Sequence, residues 1–134
     1  MKFVTVIAVV CYLFVATNSL TTPSSSRSDS LEVLEKCSNE NNISLLIADK
    51  LVKHTKPVSN RDEKCLLSCF LKERGYYVNG EIDTEKILQY LKTILSDEKY
   101  KRLEGTFKTC VSKVDKNKDT CEIANDVHLC AEPS

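Results

Sequence analysis

Cys65 and Cys69 stand one helical turn apart in the stretch Cys65-Leu66-Leu67-Ser68-Cys69-Phe70-Leu71, and nothing else in the chain restricts the fold as strongly. On a helix, residues i and i+4 share a face, so the two thiols project the same way. Leu66, Leu67, Phe70 and Leu71 fill most of the opposite side, and only Ser68 and Lys72 interrupt the apolar ring. A helix that is apolar nearly all round belongs in the middle of a domain. The stretch therefore predicts a central helix, tied by disulfides on one side and looking into an apolar interior on the other.

The remaining cysteines fit that expectation. Residues 1–19 read as a secretory signal: Lys2 supplies the positive start, Phe3 to Val15 is an almost unbroken apolar run, and Thr17 and Ser19 are small residues before a cut after Ser19. The run is shorter than the roughly 20 apolar residues of a membrane span, so no membrane insertion is expected. Removing the signal takes away Cys11, one of 7 cysteines, and leaves Cys37, Cys65, Cys69, Cys110, Cys121 and Cys130. An even set in a short secreted chain implies a disulfide framework, although spacing alone does not choose the pairing. Three bridges, each contributing about 2–4 kcal/mol, rival the whole net stability of a small domain and let the fold tolerate a hollow interior. Without Lys2 the chain holds 18 basic and 19 acidic residues. That balance gives no support to nucleic acid or an anionic membrane surface as partner.

After the signal, residues 20–30 are polar and low in complexity and read as a disordered leader, with residues 31–134 as the folded domain. Helical signals dominate that domain. Leu31, Leu34 and Cys37 recur on one face and predict a helix of about 30–40, interrupted by Asn41 and Asn42. A second helix is expected over Ile43 to His54, ended by Pro57. Ser59 or Asn60 caps the central helix, which stops near Gly75. Tyr76 to Gly80 is a connection in which Asn79-Gly80 marks a turn, preferred here over a pair of strands. Asp83 caps a fourth helix with Ile87, Leu88, Leu91, Ile94 and Leu95 on one stripe. Ser96 opens a fifth, with Tyr100, Leu103, Phe107, Cys110, Val111 and Val114 inward. A charged loop from Lys113 to Lys118 leads to a last helix, Thr120 to Cys130. The predicted fold class is all-α: about six helices stapled by three disulfides.

Sites of other chemistry are poorly supported. Cys-x3-Cys in a secreted chain favours disulfides over zinc. Asp115, Asn117 and Asp119 match positions 1, 3 and 5 of a calcium loop, but Thr120 stands where glycine is needed and Asp126 where glutamate is. No metal site is expected. Catalysis requires a nucleophile, a base and an orienting group, and neither His54 nor His128 lies in a recognisable motif. No enzyme activity and no cofactor are expected. Asn42-Ile43-Ser44 is an N-glycosylation sequon. The aromatic residues Phe70, Tyr76, Tyr77, Tyr90, Tyr100 and Phe107 either line a ligand cavity or fill a core, and periodicity does not separate the two.

The spacing Cys37-x27-Cys65-x3-Cys69-x40-Cys110-x10-Cys121-x8-Cys130 resembles that of the six-cysteine insect odorant-binding proteins, over Leu31 to Cys130. The x3 and x8 intervals carry the likeness. It implies the pairing Cys37–Cys69, Cys65–Cys121 and Cys110–Cys130, and six helices around an apolar cavity. It also implies a secreted carrier that takes a small hydrophobic ligand, an odorant or pheromone, through aqueous fluid to an olfactory receptor. By position relative to the second and third cysteines, the resemblance puts Leu67 and Leu71 on the cavity, the two residues the helix-face argument also reaches. Inward stripes add Leu91, Leu95, Phe107, Val111 and Val114, and Tyr77 or its neighbour Tyr76 offers a hydroxyl to a ligand's polar group. Some members carry a long C-terminal segment that fills the cavity at low pH; here four residues follow Cys130, so that device is not expected. Neither histidine is placed at the cavity by the pattern, so no histidine-driven release is expected. Two alternatives stay open: a carrier or scavenger outside olfaction, and a disulfide-rich interaction or toxin-like protein with a filled core.

Overall fold

Short polar side chains divide the chain into helices. The structure, a computed structural model, describes residues 26–132, so the signal 1–19 and the start of the leader lie outside the described residues. The order is α1 (Ser26–Glu40), α2 (Leu45–Val52), α3 (Arg61–Glu73), β1 (Tyr77–Val78), β2 (Glu81–Ile82), α4 (Thr84–Ile94), α5 (Asp97–Ser112) and α6 (Thr120–Cys130). Ser44, Asn60, Asp83, Ser96 and Asp119 precede α2 to α6, and each side chain accepts a hydrogen bond from an amide of the first turn. Each such cap satisfies a donor that the helix itself leaves unpaired. Changing Asn60→Ala should lower the unfolding free energy by about 1 kcal/mol; an unchanged urea midpoint would show that this cap is dispensable.

Two expectations are corrected. The leader 20–30 is not wholly without structure, because α1 begins at Ser26; Asp29 in its first turn suits the positive end of the helix dipole. The Asn79-Gly80 connection is a turn, but one that joins two short strands, with Tyr77 opposite Ile82 and Val78 opposite Glu81. Both turn residues have positive φ, 53° and 78°, as the tightest antiparallel hairpins require.

The central helix is α3. It packs on α1, α2 and most extensively on α6, and buries Leu66, Leu67, Ser68 and Phe70. Three disulfides close the assembly: Cys37–Cys69 joins α1 to α3, Cys65–Cys121 joins α3 to α6, and Cys110–Cys130 joins α5 to α6. At the start of α3, Glu63 is buried and accepts from Lys56 Nζ (2.8 Å) and the Ser59 amide (2.6 Å). Burial pushes its carboxyl up, but those hydrogen bonds and the charge of Lys56 outweigh it and hold the group below its ordinary value. This contact folds the 53–60 connection back over the helix start. Among the described residues, no helix is long and apolar enough to cross a membrane.

Candidate functional site

Three helices each give an i, i+3, i+4 triplet to one cavity of about 40 Å³. These are Leu67, Phe70 and Leu71 of α3; Ile87, Tyr90 and Leu91 of α4; and Ala124, Val127 and His128 of α6, continued by Ala131. Such spacing is what turns one helix face towards a common interior. Val52, His54 and Tyr76 complete the lining.

Tyr76 and His54 arrive by the same device. At the end of α3, Gly75 takes φ 72°, its amide bonds the Lys72 carbonyl (3.0 Å), and the Tyr76 amide bonds the Leu71 carbonyl (2.8 Å). This is the Schellman arrangement, which brings the residue after the glycine back against the helix. The Asp83 amide then holds the Tyr76 carbonyl at 2.8 Å, fixing Tyr76 between α3 and α4. At the end of α2 the same pair of bonds recurs, His54 amide to Leu51 carbonyl (3.1 Å) and Thr55 amide to Lys50 carbonyl (2.9 Å). Here the left-handed position, φ 58°, is held by His54 instead of glycine. A residue with a Cβ adopts it at a cost of about 1–2 kcal/mol.

The His54 ring stacks on His128, with centroids 4.0 Å apart and planes 10° from parallel. Burial lowers the pKa of His54 to about 4; burial, followed by the neighbouring His54, lowers that of His128 to about 3. Both rings are therefore uncharged near neutrality. Burial, with Tyr76 beside it, pushes the Tyr90 phenol well above its ordinary value, and its hydroxyl donates to the Val52 carbonyl (3.2 Å).

Beyond this cavity lies an open groove of about 1000 Å³ between α1, α2, the end of α3 and α4. Val52, Phe70, Tyr76 and Tyr90 border both spaces. The three aromatic rings lie 5.7–6.3 Å apart, centroid to centroid. They form the partition between the groove and the cavity.

Of the residues expected at the site, Leu67, Leu71 and Leu91 line the cavity. Tyr77, Leu95, Phe107, Val111 and Val114 line neither space. Phe107 and Val111 are buried, and Leu95 and Val114 pack against the same core, so their stripes do face inward. The cavity, however, is walled by α3, α4 and α6 and not by α5. Tyr77 enters the hairpin while its neighbour Tyr76 takes the cavity position, since successive extended residues point to opposite sides. The expectation that neither histidine reaches the cavity is overturned: both line it. His128 was legible as the next member of the Ala124, Val127 stripe. His54 was not, because only the left-handed residue after α2 turns it inward. The sequon residue Asn42 is exposed in the turn after α1, and Ser44 is the cap of α2. Asp119, the last acid of the calcium-like run, caps α6.

Six helices, three interlaced bridges and an apolar cavity agree with one further finding: the family model described as PBP/GOBP family matches residues 21–133. The chain belongs to this family, the insect odorant- and pheromone-binding proteins. No match was found among the curated proteins or among the solved structures. PBP/GOBP proteins are binding proteins and not enzymes, and the family suggests a small odorant-binding carrier. In this PBP/GOBP chain the cavity is apolar except for two phenols and two imidazoles, the latter stacked on each other.

Proposed function

We propose that the protein is a secreted carrier that takes up a small hydrophobic molecule, an odorant or pheromone, and conveys it through aqueous fluid to an olfactory receptor. The observation that carries this reading is the interior cavity, lined almost wholly by hydrocarbon and aromatic side chains, in a chain of the PBP/GOBP family. Drug-sized ligands occupy pockets of roughly 300–1,000 Å³, so a space of about 40 Å³ must widen before it holds one. Uptake then requires Phe70, Tyr76 and Tyr90 to swing towards the groove and merge it with the cavity. Burial of the ligand's apolar surface, at about 25 cal/mol per Å², drives that opening. Removal of residues 1–19 and three disulfides suit export to an oxidising fluid.

The small volume also favours a second reading, a disulfide-rich interaction protein whose core is simply filled. Titration of the oxidised protein with N-phenylnaphthylamine separates the two. A carrier gives a blue-shifted, saturable signal that volatile apolar compounds displace at micromolar concentration; absence of binding by any apolar compound selects the filled core. Expression outside sensory tissue, with binding intact, would move the role to a carrier in another fluid.

A further inference from the structure

Four side chains bring polar atoms to the cavity: Tyr76, Tyr90, His54 and His128. The phenols are engaged. Tyr90 donates to the Val52 carbonyl, and the Tyr76 oxygen accepts from Arg74 Nη2 (3.3 Å). The imidazoles are not. His54 Nδ1 and His128 Nε2 are buried and have no hydrogen-bond partner. Buried polar atoms in folded proteins nearly always find partners, and the exceptions call for an explanation. His128 is only 7% exposed. His54 in addition holds the left-handed position at φ 58° where glycine is the usual residue. Backbone strain and unpaired nitrogens thus coincide on one stacked pair inside an apolar chamber, and strain of this kind clusters at ligand clamps.

We propose that the His54–His128 pair is a headgroup site for a hydroxyl, so that the preferred ligand is a small apolar alcohol. The inference rests on the carrier reading and adds the class of ligand. A neutral imidazole has one N–H donor and one bare nitrogen that accepts. A hydroxyl both donates and accepts, so it can serve the two rings together, donating to one and accepting from the other. It does so whichever tautomer each ring adopts, unless both present the same kind of nitrogen, and even then it bonds one of them. An aldehyde or ester only accepts, and an alkane does neither. A carboxylate would enter without a cation to meet it, since among the described residues no lysine or arginine lines the cavity. Two neutral hydrogen bonds made at otherwise unpaired groups correspond to about a tenfold gain in affinity.

The test is displacement of N-phenylnaphthylamine from the full oxidised protein by a straight-chain alkanol, the aldehyde and the alkane of the same length. The alkanol should bind about tenfold tighter than the alkane and about threefold tighter than the aldehyde, which makes at most one of the two hydrogen bonds when the rings present one donor and one acceptor. Equal binding of all three overturns the hydroxyl site while leaving the carrier reading intact; no binding of the probe or of any competitor overturns both. In His128→Phe, which keeps an aromatic ring in the stack but no nitrogen, the alkanol's advantage over the alkane should collapse to threefold or less, about one neutral hydrogen bond. An undiminished advantage in that variant rejects the site. NMR of the imidazole nitrogens in the unaltered protein gives a readout that does not depend on the variant folding. Alkanol should shift the His54 and His128 resonances and alkane should not; identical responses to both reject the proposal.

Discussion

Replacing Cys65 and Cys121 together by serine is expected to lower the unfolding free energy by about 4 kcal/mol, a large part of the roughly 5–15 kcal/mol that holds a domain together. Loop length alone does not single out this bridge. The three disulfides span 32, 56 and 20 residues, and because the entropy term grows only with the logarithm of loop length, all three fall at about 3–4 kcal/mol. Their interlacing does single it out. Cys65 lies inside the Cys37–Cys69 loop and Cys121 inside the Cys110–Cys130 loop, so only Cys65–Cys121 links the two loops into one covalent network. It also lies on the α3–α6 seam, the most extensive helix packing among the described residues. The polar pairs beside it do not replace it. Lys64–Glu122 (3.1 Å) is part-buried and Arg61–Asp119 (3.4 Å) is exposed, and surface ion pairs contribute little. Urea unfolding of C65S/C121S and C110S/C130S, each with its remaining bridges oxidised, checks the argument. The first should lose cooperativity as well as stability, with the α1–α3 and α5–α6 portions melting apart. A single sharp transition, with stability within about 1 kcal/mol of the parent, would show that packing and not the covalent link unites the two halves.

Much of the fold could be read from the chain because its boundaries are set locally. Cap residues at Asn60, Asp83 and Ser96 are local signals, as are Gly75 and Asn79-Gly80, and the structure uses each of them as a boundary. The α5 stripe shows where local reading stops. Phe107 and Val111 point inward as their spacing requires, yet inward on α5 means solid core, whereas inward on α3, α4 and α6 means cavity. Periodicity reports which face a helix buries; it carries no information on whether the space opposite is filled. The histidines show a second limit. His54 reaches the cavity through a backbone conformation that glycine would normally supply, and its partner His128 is 74 residues further along. No pattern within either helix records that encounter. Likewise Tyr76 and not Tyr77 enters, because a hydrogen-bonded reversal after Gly75 decides which of two identical side chains turns in.

The histidine pair makes stability depend on pH from about 6.5 downwards. The folded values are about 4 for His54 and about 3 for His128, against an ordinary 6.5, with burial the main cause in both. The depressed values mean that the unfolded chain binds protons the folded chain refuses. Stability is therefore fully present above about pH 6.5 and is lost as pH falls from there through the folded values. With two such groups the slope approaches about 2.7 kcal/mol per pH unit. The total over the window is several kcal/mol, enough to unfold the domain or force the pair apart in acid. Two carboxylates of known direction act later: Glu63, held below its ordinary 4.5, and Asp119, held below its ordinary 3.8, give up their stabilisation only as pH falls below those values. Urea midpoints measured from about pH 7 down to 4 should fall throughout. In the double variant His54→Asn, His128→Phe they should stay level until carboxylates begin to titrate; asparagine is chosen at position 54 because it tolerates positive φ. A level curve for the unaltered protein, or an undiminished slope in the double variant, would refute the assignment. Ligand binding follows a different course. Because both rings remain neutral in the folded protein down to about pH 5, affinity for a neutral apolar probe should hold constant from about pH 7 to 5 and fall only below the titration of His54 at about 4. The absence of release between those values is thus expected even though the histidines line the cavity, and it is expected because the cavity that would have to discharge its ligand is the same apolar environment that keeps them uncharged.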